Sequence, residues 1–231
     1  KNKSSQSMHP IEAHLNIEFK NRELLEKAFT HRSFAKQTKG NHQADNERLE
    51  FFGDAVLGLV IAEYLYKEFP EDDEGSLSRK RSYLVRKETL YKVAVFYNLG
   101  ERIILGEGEK KSGGYRRESI ISDALEALIA VVYLVEGFEA AKTFIYKIFD
   151  SSISSLPSND NLKDSKTKLQ ELLQSNNSDL PEYETHEINI NNKISFKTLC
   201  KVDIHKICEE GTGSNKRKSQ QEAAAKALKK I

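Results

Sequence analysis

Residues 46–57 read Asn-Glu-Arg-Leu-Glu-Phe-Phe-Gly-Asp-Ala-Val-Leu and set three acidic side chains in a segment that becomes strongly apolar. The apolar run continues through residues 55–62, and this pattern predicts one long helix over about 45–69. At 100° per residue, Glu47, Glu50 and Asp54 fall within roughly 60° of each other on that helix. We therefore predict an acidic stripe on a helix that is otherwise buried.

A second apolar segment, residues 120–132, carries Asp123 and Glu126 three residues apart. A helix that is hydrophobic on nearly every face is normally buried, and a buried carboxylate needs a charged partner or a metal ion. Asp54, Asp123 and Glu126 have no lysine or arginine three or four residues away. A hard cation such as Mg2+ is the natural partner, which makes metal-assisted hydrolysis of a phosphate ester the first hypothesis. The alternative is that Glu50 and Glu126 pair with basic groups elsewhere in the fold, for example Arg48, Arg79 or Arg81.

The whole chain has 231 residues, a net charge of +1 and 38% hydrophobic residues, which allows one large domain or two ordinary ones. It has no apolar stretch of about 18 residues, so we expect no membrane span, and residues 1–10 lack the apolar core of a signal peptide. Cys200 and Cys208 are expected to be buried thiols in a reducing, cytoplasmic compartment. The Gly-rich segment at residues 106–114 is expected to be a flexible loop and fits no nucleotide-binding fingerprint, so no nucleotide cofactor is expected.

Hydrophobic periodicity divides the chain into a helical part and a mixed part. Residues 8–151 predict a helical domain, with helices at about 10–19, 22–29, 45–69, 75–87, 88–98, 117–136 and 138–151. Residues 152–163, rich in Ser, Asn and Asp, predict a linker. Residues 164–231 predict an α-β-β-β-α unit, with helices at 166–175 and 220–230 and strands at 183–190, 193–205 and 206–210. The expected fold class is therefore mainly α, with a small sheet that has both helices on one side.

The motif at residues 46–57 closely resembles the signature of bacterial ribonuclease III. Asp123-Ala-Leu-Glu-Ala-Leu-Ile129 resembles the second acidic motif of that family, and the resemblance covers essentially residues 10–231. Further matches are Thr30-His-Arg-Ser33, Asp73-Glu-Gly75 and Lys111-Ser-Gly-Gly114. The resemblance implies an all-helical endonuclease domain that acts as a homodimer on double-stranded RNA.

This family resemblance also implies roles for individual residues. It makes four carboxylates the ligands of Mg2+, with Mn2+ as a substitute: Glu50, Asp54, Asp123 and Glu126. Glu47, Asp54 and Glu126 are the implied catalytic acids, Glu47 and Glu74 line the cleavage valley, and Phe51 resembles the knob that enters a socket on the partner subunit. Two Mg2+ ions would activate water and stabilise the leaving 3′ oxygen. The implied products have 5′-phosphate and 3′-hydroxyl ends with short 3′ overhangs, as in ribosomal and messenger RNA processing.

Residues 164–231 resemble the double-stranded-RNA-binding domain through residues 164–171, 181–183 and 211–225. Gln170 and Gln174 share one helix face, where they would meet 2′-hydroxyls in a minor groove. Three basic residues begin the last helix, where side chains and backbone N–H groups would meet phosphates: Lys216, Arg217 and Lys218. The Gly-x-x-His loop that is usual between the first two strands is not evident in residues 188–193.

Arg116 and Arg117 stand at the start of the second acidic helix, and we expect them to hold RNA phosphates near the active site; a solvated helix start is the alternative. Three functional hypotheses follow from the sequence: an active double-stranded-RNA endonuclease, a non-catalytic RNA-binding protein with the same fold, and a metal phosphohydrolase that acts on small molecules. The presence of all four carboxylates favours the first over the second. The RNA-binding unit favours the first over the third.

Overall fold

The computed structural model describes residue 12 and residues 18–37, 44–190, 193–203 and 206–231. The chain divides into two compact units, Lys1–Pro157 and Ser158–Ile231. Most of the helix predicted at residues 10–19 and most of the loop predicted at residues 37–44 lie outside the described residues. Among those described, no helix combines the length and the apolar character needed to cross a bilayer.

The first unit is built from helices, as the sequence predicts. They are α1 (Arg22–Ala28), α2 (Arg32–Gln37), α3 (Glu47–Glu68), α4 (Glu74–Val85), α5 (Lys87–Phe96), α6 (Glu107–Lys111), α7 (Glu118–Glu136) and α8 (Phe138–Ser154), with short 3-10 helices at Leu99–Arg102 and Gly114–Arg116. The prediction of a flexible loop at residues 106–114 is wrong, because α6 forms there. The Gly106 N–H donates to Ser33 Oγ (2.9 Å) and the Glu107 N–H to Gln37 Oε1 (3.3 Å), which ties the start of α6 to α2.

Helix α7 lies at the centre of this unit, and every residue from 124 to 132 is buried. Its sequence explains this position, since a helix that is apolar on nearly every face must be covered on nearly every face. Helix α3 packs against it through Leu57, Val60 and Ile61, none of which is measurably exposed. The acidic residues of both helices are thus carried on a rigid, fully packed pair of elements.

Residues 164–231 of the second unit have the predicted α-β-β-β-α order, which confirms the expected fold class, and one short helix precedes them. It comprises α9 (Asn159–Leu162), α10 (Ser165–Ser175), β1 (Glu182–Ile190), β2 (Lys193–Val202), β3 (Ile207–Gly213) and α11 (Lys216–Leu228). The strands form one antiparallel sheet in the order β1-β2-β3. The turn predicted at Asn191-Asn192 lies outside the described residues. The linker predicted at residues 152–163 stays a prediction; α8 continues to Ser154, and α9 lies within that segment.

Both longer helices of the second unit cover one face of the sheet. Their shared core consists of Leu169, Leu173, Cys200, Val202, Ala223, Ala224 and Ala227. Helix α11 approaches β3 closely because Gly211 has no side chain; a Cβ there would lie 2.3 Å from the Ser219 backbone oxygen. Cys200 is a buried free thiol as expected, but the expectation for Cys208 is wrong: it is exposed. Cys208 pairs with Lys201 across the ladder and therefore shares the sheet face that points away from the helices.

Two helix starts in this unit are fixed by side-chain caps. Helix α11 begins at Lys216, four residues before the predicted start, because Asn215 Oδ1 accepts from the Lys218 N–H (2.9 Å). Asp164 caps α10 by accepting from the Thr167 N–H (2.9 Å). Burial alone would raise the pKa of Asp164, but hydrogen bonds from Thr167 and Gln221 outweigh burial and lower it below its ordinary 3.8. Strand β2 ends at Val202 rather than at residue 205, and β3 extends to Gly213 rather than residue 210.

Candidate active site

Helices α3 and α7 meet at Gly53, and this contact creates the acidic site. A Cβ placed on Gly53 would lie 1.8 Å from the backbone oxygen of Glu126. Only a glycine lets the two backbones come this close. Because Glu50 lies one turn before Gly53 and Asp123 one turn before Glu126, the contact brings acids from both helices together.

The carboxylates of Glu50, Asp123 and Glu126 form a compact group, in which one oxygen from each residue lies within 4.8 Å of the others. Glu126 is 8% exposed, and the other two are half-buried. Asp54 is exposed and is not one of these three, although its charge acts on both Glu126 and Glu50. The structure therefore gathers three of the four predicted ligands closely and leaves Asp54 at the edge; their role as ligands stays a prediction.

Electrostatics make this carboxylate cluster (Glu50, Asp123 and Glu126) unfavourable without a cation. Burial, reinforced by the charges of Asp54, Glu50 and Asp123, raises the pKa of Glu126 from 4.5 to about 8. Burial also raises the pKa of Glu50, with Asp123 as the next cause. Like charges held together out of water disfavour ionisation. The geometry therefore favours a positively charged partner.

Lys87 of α5 supplies one positive charge to the cluster, and sequence reasoning missed it. Its Nζ donates to Asp123 Oδ1 at 3.1 Å, across 36 residues of chain. Burial alone would lower the pKa of Lys87, but the hydrogen bond and charge of Asp123 outweigh burial and raise it. Lys87 is not one of the basic residues named above as possible partners of the acids. No local spacing pattern connects it to α7.

A polar cavity of about 510 Å³ adjoins the cluster, and Glu47, Glu50, Asp123 and Arg117 all contribute to its wall. Glu47 is exposed and accepts from Arg32 Nη1 at 3.1 Å. Arg117 Nη1 lies 2.7 Å from Glu109 Oε1, so α6 fixes the direction of this arginine. Glu109 could not be predicted in this role, because residues 106–114 were expected to form a flexible loop.

Two other predicted site residues, Arg116 and Glu74, lie outside the carboxylate cluster. Arg116 is exposed, with its guanidinium carbon 5.2 Å from the centre of the Tyr115 ring. Glu74 begins α4 and accepts from Ser78 Oγ at 2.7 Å. Their predicted contacts with RNA stay predictions.

Phe51 projects from α3 on the side away from the core and is 79% exposed. It borders a largely apolar groove of about 600 Å³, whose wall also includes Leu24, Leu49, Phe52 and Leu134. An exposed phenylalanine beside an apolar groove is a feature of surfaces that bind another protein.

In the second unit, the predicted RNA-facing residues are all exposed: Gln170, Gln174, Lys216, Arg217 and Lys218. The sequence missed Lys166, which links the two helices that carry them. Its Nζ donates to Gln220 Oε1 at 2.6 Å and lies 4.5 Å from the centre of the Tyr183 ring. This contact fixes α10 relative to α11, and with it the spacing of the two exposed polar sets.

Comparison with known proteins agrees with both units. Residues 21–152 match the family model described as Ribonuclease-III-like, and residues 165–231 match the double-stranded RNA binding motif. Ribonuclease 3 of Histophilus somni (strain 2336) is 42% identical over 226 residues, which cover 97% of this chain and 98% of that protein. Ribonuclease 3 of Pseudomonas fluorescens (strain SBW25) is 46% identical over 223 residues, which cover 96% of this chain and 94% of that protein.

A solved structure is also similar to the first unit. It is the nuclease domain of ribonuclease III from Campylobacter jejuni, described for structural flexibility in a region involved in dimer formation. The TM-score is 0.59 at 42% identity, and the match covers 64% of this chain and 99% of that one. The chain therefore belongs to the ribonuclease III family of endoribonucleases and joins a nuclease domain to a double-stranded-RNA-binding domain.

Proposed function

We propose that this protein is a Mg2+-dependent endonuclease that hydrolyses double-stranded RNA and leaves 5′-phosphate and 3′-hydroxyl ends with short 3′ overhangs. The observation that carries the proposal is the cluster of Glu50, Asp123 and Glu126, whose oxygens converge within 4.8 Å. A double-stranded-RNA-binding domain in the same chain supports RNA as the substrate. We infer a role in ribosomal and messenger RNA processing in the cytoplasm from membership of the family.

The donor set fits a hard divalent cation. All three groups offer oxygen, which Mg2+ prefers, and Mn2+ accepts the same ligands. Glu126 is buried and has its pKa raised to about 8, so its charged form requires a nearby cation. Glu50, Asp123 and Glu126 would hold the metal, with Asp54 as the fourth ligand. Bound there, Mg2+ would lower the pKa of water and neutralise charge that develops on the phosphate.

The protein's own residues supply position and charge around the cluster. Gly53 and Glu126 hold the two acidic helices in contact, so the carboxylates are fixed before RNA arrives. Arg117, directed by Glu109, lies on the wall of the adjoining cavity and would pair with a phosphate next to the cut. We assign Glu47, Asp54 and Glu126 as catalytic acids, and Glu74 and Arg116 as further RNA contacts along the valley.

The second unit would hold the duplex. Lys216, Arg217 and Lys218 are exposed at the start of α11, where the positive end of the helix dipole adds to their charge. Gln170 and Gln174 on α10 would meet 2′-hydroxyls in a minor groove. We propose domain boundaries of 8–151 and 164–231 with residues 152–163 as the linker, which the matches at residues 21–152 and 165–231 support.

We further propose that the active form is a homodimer. Phe51 would be buried by entering the apolar groove of a second copy of the protein, and Phe51 of that copy would enter the groove of the first. Two carboxylate clusters in one assembly would then serve the two strands of the duplex. This arrangement supports cleavage of both strands by one enzyme.

The substitution Glu126→Gln tests the proposed function. It keeps the size of the side chain but removes a metal ligand, so cleavage of an RNA duplex in Mg2+ is expected to fall roughly a thousandfold. Binding of the same duplex, measured by filter retention in Ca2+, is expected to be unchanged. Glu118→Gln is the matched control, because Glu118 lies on the same helix and is exposed outside the cluster. Full cleavage by Glu126→Gln would rule out the metal assignment.

A further inference from the structure

Lys87 is fixed at both ends by consecutive residues of α7. Its backbone oxygen accepts from the hydroxyl of Ser122 at 3.1 Å, and Ser122 is completely buried. Its Nζ donates to Asp123 Oδ1, also at 3.1 Å. The Ser122 bond ties the start of α5 to α7, so the backbone of Lys87 is held where its ammonium group reaches the cluster.

The Lys87 ammonium acts on the whole cluster, not on one carboxylate. Its charge interacts with Asp123, Glu50 and Glu126. These are the same three residues whose oxygens converge within 4.8 Å. A divalent cation bound by this cluster would therefore share Asp123 with Lys87 and meet the repulsion of its positive charge.

We propose that Lys87 is a positioning residue that serves as the internal counter-ion of the carboxylate cluster and sets its affinity for divalent cations by competing for Asp123. This inference rests on the proposed metal site. The competition has two consequences. Lys87 reduces the repulsion among the three acids, which stabilises the contact between α3 and α7. It also weakens cation binding, so that the cluster responds to the cation concentration instead of holding the metal permanently.

Binding of Mn2+ to the full-length protein without RNA tests this inference, with free Mn2+ counted by electron paramagnetic resonance. Lys87→Gln is expected to lower the Kd roughly three- to tenfold, the range for loss of one neighbouring charge that is largely exposed. Lys87→Arg keeps the charge and is expected to stay within about twofold of the original protein. The matched control is Lys92→Gln on the same helix. Lys92 is 65% exposed against 60% for Lys87, and it pairs with Glu88 at 2.9 Å instead of with the cluster.

Thermal melting gives a second readout that does not depend on catalysis. In EDTA, Lys87→Gln is expected to melt below Lys92→Gln, because the three acids lose their counter-ion, and saturating Mn2+ is expected to remove the difference. An unchanged or raised Kd in Lys87→Gln, or an equal fall in Lys92→Gln, would overturn the inference. If the original protein bound no Mn2+ at all, the proposed metal site would fail and the inference with it. Equal Mn2+ binding by the original protein and Lys87→Gln would instead refute the inference alone.

Discussion

The substitution Gly53→Ala adds one methyl group where α3 meets α7. The new Cβ would lie 1.8 Å from the backbone oxygen of Glu126 and 2.5 Å from its carbonyl carbon. Both atoms belong to the backbone of a buried helix, so no side-chain rotation can relieve the overlap. The helices must separate by about 1.2 Å to bring the closest contact to 3.0 Å, the lower limit for real Cβ contacts.

Two effects of opposite sign determine the free energy of unfolding of Gly53→Ala. In a helix, alanine is favoured over glycine by about 1 kcal/mol. Overpacking of a buried contact costs typically 1–3 kcal/mol and more when backbone must move. Since backbone meets backbone here, we expect a net loss of about 2–3 kcal/mol. For a unit of this size, such a loss lowers the melting temperature by roughly 5–10 °C.

Gly58→Ala is the matched control, because it lies on the same helix and its Cβ would meet no atom within 4 Å. That variant is expected to gain about 0.5–1 kcal/mol from helix propensity alone. Circular dichroism melts of both full-length variants, followed by cleavage of an RNA duplex, give the comparison. Displacing the carboxylates by about 1 Å is expected to reduce cleavage roughly a hundredfold in Gly53→Ala. If Gly53→Ala were as stable and as active as Gly58→Ala, the close contact at Gly53 would not be what positions the carboxylates.

Three further predictions concern the second unit. Because the pKa of the capping Asp164 is lowered, its contribution to stability is fully present above about pH 5 and is lost as pH falls through the folded-state pKa. Asp164→Asn should therefore remove part of the acid sensitivity seen in melts between about pH 5 and pH 2. Replacing Lys216 and Lys218 by alanine should lower the slope of log affinity for duplex RNA against log salt by about one unit per lysine, while Lys229→Ala should leave it unchanged. Thr198→Val removes hydrogen bonds of 2.9 and 2.7 Å in the core and should cost about 1 kcal/mol in thermal melts; a gain in stability would contradict the importance assigned to this hydroxyl.

The acidic cluster could be predicted from the sequence because its signal is local. Asp123 and Glu126 are acidic residues three positions apart in an otherwise apolar helix. Because such a helix is buried, its carboxylates need a positively charged partner. Gly53 carries no such signal, since a glycine inside a helix pattern indicates only a weak helix or a close contact of unknown partner. Gly53 is important because it lies against the backbone of Glu126, and the two residues meet only in the folded protein.

Long-range partners account for most of what the sequence left open. Lys87 lies 36 residues from Asp123, and no periodicity links the two positions. Helix α6 depends on hydrogen bonds from Gly106 to Ser33 and from Glu107 to Gln37, which lie more than 60 residues earlier in the chain. Without knowledge of these partners, the Gly-rich composition of the segment indicated a loop. The exposure of Cys208 follows from strand register, which pairs it with Lys201 and could not be fixed before the sheet was known.

We propose that the carboxylate cluster cleaves double-stranded RNA with the help of a divalent cation. A direct test is incubation of the full-length protein with an end-labelled RNA duplex of about 30 base pairs, longer than the roughly 16 base pairs that one RNA-binding domain spans. Parallel samples would contain Mg2+, Ca2+ or EDTA. Cleavage is expected in Mg2+ and not in EDTA, with 5′-phosphate ends and short 3′ overhangs. Tight binding without cleavage in Mg2+ or Mn2+ would contradict it and would identify an RNA-binding protein that keeps the fold without the chemistry.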